Sequence, residues 1–126
     1  MLKIDYKDGR SLHEQIEAEL KRMIVNGILE PDEQLPSVRE MAISLTVNPN
    51  TVQRAYKKLE SEGFIYSIKG RGNFVSVATE MHDEQKIKEL YETLGAALKE
   101  LMFLGENRNN IENILEKIFS EREEKQ

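Results

Sequence analysis

The chain has 126 residues, with 18 Lys and Arg against 23 Asp and Glu, a net charge of −5 at pH 7 and no cysteine. This length accommodates one domain and a small appendage, the lack of cysteine excludes disulfides and thiolate metal sites, and no stretch is apolar enough for a membrane span or a signal peptide. We therefore expect a cytoplasmic protein with no membrane partner, no metal and no other cofactor.

The acidic residues are not spread evenly along the chain. Residues 79–126 carry 7 basic and 12 acidic side chains, which accounts for the whole net charge, whereas residues 34–77 carry 6 basic and 3 acidic ones. Exposed charges more than about 8–10 Å apart are largely screened at physiological ionic strength, so a partner meets the local charge and not the total. The overall acidity therefore does not exclude a nucleic acid.

The first predicted helix begins after Ser11 and ends near Asn26. Residues 11–14, Ser-Leu-His-Glu, form a capping box, and the glycine after the helix terminates it. One side of this helix is apolar, with Leu12, Ile16, Leu20, Met23 and Ile24. Residues 1–10 form a short arm that we expect to pack on the domain, and residues 28–33 form a turn-rich connector.

Two more amphipathic helices follow in close succession. Ser37 to Glu40 is a second capping box, preceded by Pro36; the apolar stripe behind it is Val38, Met41, Ala42 and Leu45. Asn48 then gives an N-cap, and Pro49 suits the first position of the next helix, where its missing N–H is not needed. The apolar stripe of this third helix is Val52, Ala55, Tyr56 and Leu59.

The side of the third helix opposite its apolar stripe is polar and basic. At 100° per residue, it carries amides, hydroxyls and three cations and is predicted to be free of carboxylates; its members are Asn50, Thr51, Gln53, Arg54, Lys57, Lys58 and Ser61. A solvated helix in so acidic a chain would more often mix the two signs, so this side suits an anionic partner. Two helices joined by a turn of about three residues, the second with such a side, predict a helix-turn-helix.

A hairpin with a basic tip follows the third helix. Gly63 ends that helix, and residues 64–68 and 73–77 have the aromatic and β-branched composition of strands. Between them, residues 69–72, Lys-Gly-Arg-Gly, place two cations beside two flexible backbone positions. The predicted fold class is therefore mainly α with a small β-wing: an N-terminal winged helix-turn-helix followed by a C-terminal two-helix hairpin.

The C-terminal residues predict two helices separated by a turn. Thr79 or Asp83 caps a helix of about 22 residues, the turn begins at Gly105, and Asn109 or Asn110 caps the last helix. Both helices carry apolar residues at offsets of three and four, which is typical of one buried side.

These apolar stripes predict an interface between two copies of the chain. The expected dimerisation residues are Ile87, Leu90, Tyr91, Leu94, Leu98, Leu101, Ile111, Ile114, Leu115, Ile118 and Phe119. So short a unit seldom buries enough surface alone, and two-fold pairing is the commonest way to cover it. We therefore predict a DNA-binding domain at residues 1–78 and a dimerisation hairpin at residues 79–126. The alternative is a hairpin folded back on its own N-terminal domain.

Two stretches resemble a known protein family. LPSVREMA from Leu35 and VNPNTVQRAYKKLESEGFIYSIKGRGNFV from Val47 closely resemble the DNA-binding domain of GntR-family bacterial transcription regulators, and the similarity covers roughly Leu12 to Val77. The short helical tail is similar to that of the YtrA-like subfamily, whose members are small dimeric regulators that often control neighbouring transporter operons. The resemblance implies double-stranded DNA as a partner and such an operon as the target.

The candidate DNA contacts come from both helices of the motif and from the wing. They are Ser37, Arg39, Asn50, Thr51, Gln53, Arg54, Lys57, Lys58, Lys69, Gly70, Arg71 and Gly72. The family pattern implies that Arg39 contacts DNA. Gln53 stands where many relatives have arginine, which bears on the operator sequence. Amides pair with adenine and arginine with guanine, whereas Lys57 and Lys58 lie where phosphates are met and Arg71 could enter a minor groove.

Each of these residues also has a purely structural interpretation. Ser37 could act only as a cap, and Asn50 and Thr51 could serve the backbone of the first helical turn. The glycines of the tip could be required only for positive φ, with solvated cations beside them.

We predict a homodimeric, sequence-specific DNA-binding regulator, most simply a repressor that excludes polymerase, on a palindromic operator with half-sites about one helical turn apart. No effector is identified by the sequence. The alternative is a winged-helix protein-interaction module without specific DNA binding, which would expose large apolar side chains instead. An enzyme is not indicated, because no catalytic constellation is present, and His13 and His82 are too far apart to suggest a metal site.

Overall fold

The computed structural model describes residues 2–77 and 84–124. In that part of the chain it has five helices and two strands: α1 (Leu12–Val25), α2 (Val38–Leu45), α3 (Pro49–Ser61), β1 (Ile65–Ile68), β2 (Gly72–Val75), α4 (Glu84–Phe103) and α5 (Arg108–Glu124). The chain divides into two units, Met1–His82 and Asp83–Gln126. The predicted fold class, mainly helical with a small antiparallel wing, is confirmed. The predicted boundary at residue 78 and the predicted caps Thr79 and Asp83 lie outside the described residues.

The three helices of the first unit begin at the predicted capping residues. The Ser11 and Ser37 hydroxyls each accept a hydrogen bond from the backbone N–H three residues later, at 3.4 and 3.0 Å. The Asn48 Oδ1 accepts from the N–H two residues later, at 2.8 Å. Gly27 and Gly63, which follow α1 and α3, have φ of 73° and 84°. Local hydrogen bonds at the starts and left-handed glycines after the ends therefore fix these boundaries.

The core of the first unit lies between α1, α2, α3 and the base of the wing. Its buried apolar side chains are Ile16, Leu20, Leu35, Met41, Ala42, Val52, Ala55, Tyr56, Leu59, Ile65 and Val75. All four residues of the predicted α3 stripe belong to this set, because the helical period brings them to one side. Since that side is buried, α3 must present its opposite side to solvent.

Tyr56 ties α3 to the segment ahead of α2. Its side chain is 2% exposed, and its hydroxyl donates a hydrogen bond to the carbonyl oxygen of Pro36 at 2.7 Å. Burial raises the pKa of the Tyr56 phenol, so the hydroxyl keeps its proton and remains a donor throughout the physiological range.

Replacing Tyr56 by Phe is expected to lower the free energy of unfolding by about 1–2 kcal/mol, because the Pro36 carbonyl loses its donor. Chemical denaturation at fixed protein concentration measures the change as a shifted midpoint with an unchanged slope. Tyr6→Phe is the matched control, since the Tyr6 side chain is 70% exposed. Removing its hydroxyl should change the free energy of unfolding by no more than about 0.5 kcal/mol. Equal midpoints for the two variants would contradict the stabilising role.

The N-terminal arm packs on the first unit as expected. Gln15 on α1 is 6% exposed; its side-chain oxygen accepts from the Asp5 N–H at 2.9 Å, and its side-chain nitrogen donates to the Asp5 carbonyl at 2.9 Å and the Arg10 carbonyl at 3.1 Å. Leu2 and Ile4 pack against the core. One buried amide thus holds the middle of the arm and its C-terminal end.

The connector ahead of α2 extends the wing, which the sequence did not predict. Gln34 forms an isolated antiparallel bridge with Phe74 on β2, and the Leu35 N–H donates to the Asn73 carbonyl at 2.8 Å. The pairing uses backbone groups, which do not depend on residue type. The polar composition of this segment therefore gave no strand pattern.

The second unit consists of α4 and α5, joined by a turn at Gly105, whose φ is 91°. The cap of α5 is Asn107, whose Oδ1 accepts from the Asn110 N–H at 2.9 Å. The prediction of Asn109 or Asn110 as the cap is wrong, because the helix already begins at Arg108.

The apolar stripes of the second unit face solvent in the single chain. Among residues 84–124, α4 has no buried residue. Nine of the eleven predicted dimerisation residues are exposed, from 38% for Leu101 to 70% for Tyr91, while Leu98 and Ile111 are half-buried. α4 and α5 therefore do not cover each other's apolar sides.

Candidate nucleic-acid interface

The outer face of α3 comprises Asn50, Thr51, Gln53, Arg54, Lys57, Lys58 and Ser61. All of these are exposed except Thr51, which is half-buried. Within residues 2–77 and 84–124, its three cations form no salt bridge with a carboxylate. Three positive charges on one side of a helix, without a carboxylate partner among these residues, attract a polyanion.

The first turn of α3 leaves its side chains free to reach outward. The Asn50 N–H is taken by the Asn48 side chain at 2.8 Å, and the Thr51 N–H donates to the Asn48 carbonyl at 2.9 Å. Within the described ranges, the side chains of Asn50 and Thr51 have no hydrogen-bond partner. The backbone is thus capped by Asn48, so these two side chains are not needed for it.

The start of α2 adds two more predicted residues to the exposed surface. Ser37 and Arg39 are both exposed. The Ser37 hydroxyl accepts from the Glu40 N–H at 3.0 Å, and its own proton remains available to donate. Ser37 can therefore cap α2 and still contact a phosphate oxygen.

A groove of about 660 Å³ runs between α3 and the wing. Of the predicted residues, it is lined by Ser37, Gln53, Lys57, Lys69, Gly70, Arg71 and Gly72; Tyr56, Glu60, Ser67, Ile68 and Asn73 complete it. The groove thus brings together the N-cap of α2, residues of α3 and the wing tip, which are up to 35 positions apart in sequence.

Other predicted residues lie outside this groove. Arg54 and Lys58 line a second groove of about 560 Å³ together with Lys57 and Ser61 from α3 and His13, Glu14 and Glu17 from α1. Arg39, Asn50 and Thr51 line neither groove. The predicted contacts therefore lie along the outer face of α3, at the start of α2 and at the wing tip, and each of the two grooves is lined in part by α3.

Glu60 corrects the prediction of a carboxylate-free side on α3. It is exposed and lines the groove beside the wing. The Ser67 hydroxyl on β1 donates to its Oε2 at 2.7 Å, which holds the carboxylate against the wing. The sequence contained the signal, since a helical wheel places position 60 within about 20° of Gln53.

The wing tip exposes its two cations. Lys69 and Arg71 are exposed, and β1 and β2 pair in a register that places Ile68 opposite Gly72. Gly70 has φ of 81° and Gly72 of 118°, conformations that favour glycine. Both the structural and the DNA-binding interpretations of the two glycines are compatible with this geometry.

The described residues meet neither the requirements of a metal site nor those of a membrane-spanning helix. His13 Nδ1 lies 3.1 Å from Glu17 Oε1 on the same helix, and His82 falls outside the described residues. In the ranges 2–77 and 84–124, no three His, Cys, Asp or Glu side chains are placed to hold a metal ion. None of the helices in those ranges has the length and apolar character needed to cross a bilayer.

The sequence matches known bacterial regulators. Residues 12–75 match the family described as bacterial regulatory proteins, gntR family. The chain is 45% identical over 76 residues to the HTH-type transcriptional repressor YtrA of Bacillus subtilis (strain 168), covering 60% of this chain and 58% of that relative. It is 37% identical over 100 residues to the HTH-type transcriptional regulator YhcF of the same organism, covering 79% and 83%. The chain thus spans less than two thirds of YtrA.

Solved structures share the fold. A transcriptional antiterminator from Listeria monocytogenes EGD-e superposes with a TM-score of 0.72 at 33% identity, over 94% of this chain and 89% of that one. The DNA-binding domain of AraR, in complex with operator ORE1, superposes with a TM-score of 0.52 at 26% identity, over 60% and 93%.

Proposed function

Because the chain belongs to the GntR family of bacterial regulatory proteins, we propose that it is a DNA-binding transcription regulator that binds a palindromic operator as a homodimer. The family consists of regulators and not of enzymes. The observation that carries the proposal is the outer face of α3, which is exposed and bears three cations with no carboxylate partner among the described residues.

The exposed residues divide into two roles in this proposal. Gln53 and Arg54 in the first half of α3 read base edges in the major groove. Lys57 and Lys58 meet phosphates, which fix the register without reading sequence. The exposed Arg71 at the wing tip enters the adjacent minor groove, where narrow A/T-rich tracts attract arginine.

Ser37, Arg39, Asn50 and Thr51 complete the proposed surface around α3. Lys69, Gly70 and Gly72 complete it at the wing tip. The predicted alternative, a protein-interaction module, is not favoured, because no large apolar side chain belongs to the outer face of α3.

The proposed homodimer rests on the uncovered stripes of the second unit. Large side chains such as Leu90 and Ile114 are 55% and 61% exposed, and an apolar surface of this kind marks an interface. A second copy provides the same stripes, and two-fold symmetry then matches two half-sites of a palindrome about one helical turn apart.

The proposed regulatory outcome is repression. A dimer on DNA near a promoter excludes polymerase without any further contact, and the relative YtrA is named a repressor. A neighbouring transporter operon remains the predicted target. We propose no effector.

Affinity for defined duplexes tests the proposal. A duplex selected from DNA upstream of the protein's own operon is titrated at moderate salt beside a scrambled duplex of the same composition. We expect the selected duplex to bind at least about 10³-fold more tightly, as specific sites do. Equal affinity for the two duplexes would contradict the function.

A further inference from the structure

Gln34 makes a contact with the wing tip across a long stretch of sequence. Its Nε2 donates a hydrogen bond to the carbonyl oxygen of Arg71 at 2.7 Å, 37 positions away. Gln34 itself is exposed, so this amide is not there to satisfy a buried group. It contacts the backbone of Arg71, one of the two residues that carry the exposed cations of the tip.

The tip contains two glycines, whose backbones are flexible unless other contacts restrain them. Arg71 lies between Gly70 and Gly72, whose φ values are 81° and 118°, and glycine loses more conformational freedom on ordering than any other residue. Within the hairpin, the Arg71 N–H donates to the Ile68 carbonyl at 2.9 Å. This bond restrains the peptide before Arg71, whereas the peptide after it carries the Arg71 carbonyl.

The amide of Gln34 restrains that second peptide. A Cβ built on Gly72 would lie 3.0 Å from Gln34 Nε2, whereas one built on Gly70 would meet nothing within 4 Å. The side chain of Gln34 therefore lies directly against the far side of the tip. With its N–H bonded to Ile68 and its carbonyl to Gln34, Arg71 has both flanking peptides fixed, which sets the direction of its Cα–Cβ bond.

We propose that Gln34 is a positioning residue that holds the Arg71 carbonyl and so directs the Arg71 side chain toward DNA. The inference rests on the proposed function, in which Arg71 enters a minor groove. A tip that is ordered before binding pays less entropy when it binds, so the hydrogen bond contributes to affinity although Gln34 itself touches no DNA in this proposal.

The backbone around Gln34 allows its side chain to be changed without unfolding the wing. Gln34 is bridged to Phe74, and the adjacent Leu35 N–H donates to the Asn73 carbonyl at 2.8 Å. These bonds involve no Gln34 side-chain atom. Gln34→Ala removes the amide, and Gln34→Glu keeps its shape but replaces the donor with a carboxylate acceptor, so both should loosen the tip.

The first measurement uses the free full-length protein. Backbone ¹⁵N relaxation should give order parameters of about 0.85 at Gly70, Arg71 and Gly72 in the wild type and about 0.6 in both Gln34 variants. The order parameters of the α3 amides should not change. Unchanged order parameters at the tip would overturn the proposal, whatever the protein does with DNA.

The second measurement is a double-mutant cycle on the duplex selected above. Gln34→Ala alone should weaken binding about three- to tenfold, the range of one hydrogen bond, and lower the salt dependence, as Arg71→Ala does. In the Arg71→Ala background it should change neither quantity, because its effect passes through Arg71.

The outcomes separate this inference from the proposed function. Equal losses from Gln34→Ala with and without Arg71 would show a general structural role and overturn the inference. If the Arg71→Ala variant bound the duplex like the wild type, the inference would be overturned as well, but the proposed function as a sequence-specific DNA-binding protein would not be affected. A wild-type protein with no duplex preference contradicts the proposed function itself, and with it the role of the tip on DNA.

Discussion

Replacing Leu94 by Glu is expected to make the protein monomeric and to weaken operator binding about 100-fold or more. Leu94 lies in the middle of the α4 stripe and is 44% exposed in the single chain. In a dimer it would be buried against apolar side chains, where an ionised carboxylate is strongly disfavoured. A monomer engages one half-site at a time and loses the high effective concentration of the second head, which is worth about 10²- to 10⁴-fold.

Ala96→Glu is the matched control for this substitution. Ala96 lies two residues further along α4 and is exposed, about 160° around the helix axis from Leu94. It adds the same charge to the same helix without entering the stripe, so the dimer and the affinity should persist. Sedimentation equilibrium and duplex titration measure the two quantities. A Leu94→Glu protein that remains dimeric would exclude the α4 stripe from the interface and favour the predicted alternative, a hairpin packed on its own N-terminal domain.

Replacing Arg54 by Ala is expected to weaken binding to the selected duplex about 30-fold or more. A good bidentate contact to guanine contributes about 1–3 kcal/mol of discrimination, and a homodimer makes it in both half-sites, so about 2–6 kcal/mol is lost. The affinity for the scrambled duplex should fall only by the contribution of the lost charge, because Arg54 makes no specific base contact on that duplex. The variant should therefore bind the two duplexes with much more similar affinities than the wild type does.

Lys57→Ala separates base reading from charge. Lys57 lies three residues further along the outer face of α3, is exposed like Arg54, and its loss removes the same single charge per chain. We expect Lys57→Ala to reduce the affinity for both duplexes by the same factor. It should also make the negative slope of log affinity against log salt shallower by about 2 per dimer, because each phosphate contact contributes about 0.9. The same duplexes titrated over a range of salt concentrations give both numbers. If Arg54→Ala and Lys57→Ala reduced the preference for the selected duplex equally, the assignment of Arg54 to a base would be wrong.

The outer face of α3 could be predicted almost completely from the sequence. The spacing of Val52, Ala55, Tyr56 and Leu59 identifies the buried side, and the exposed side then follows from the helical period. The one member that this reasoning missed, Glu60, was within reach of the same wheel. Because neighbours on a helix are determined by sequence spacing, the chemistry of this side required no knowledge of the rest of the chain.

Choices between equivalent local signals were harder to make. Asn107, Asn109 and Asn110 are all good N-caps, and only the structure identifies Asn107 as the residue whose side chain accepts from the backbone. Since any of the three could satisfy the first free N–H groups of α5, propensity alone cannot separate them.

The order of the elements, the starts of α1, α2 and α3, and the polar and basic side of α3 could all be predicted from the residue types and their spacing. These depend on hydrogen bonds and apolar contacts between residues a few positions apart, which the spacing of residue types records. Three contacts became known only from the folded chain: residues 34 and 35 pair with β2, Gln34 bonds the Arg71 carbonyl, and Ser67 holds Glu60. The first two contacts join groups far apart in the chain, and all three depend on the path of the backbone between the partners, which no local pattern of residue types specifies.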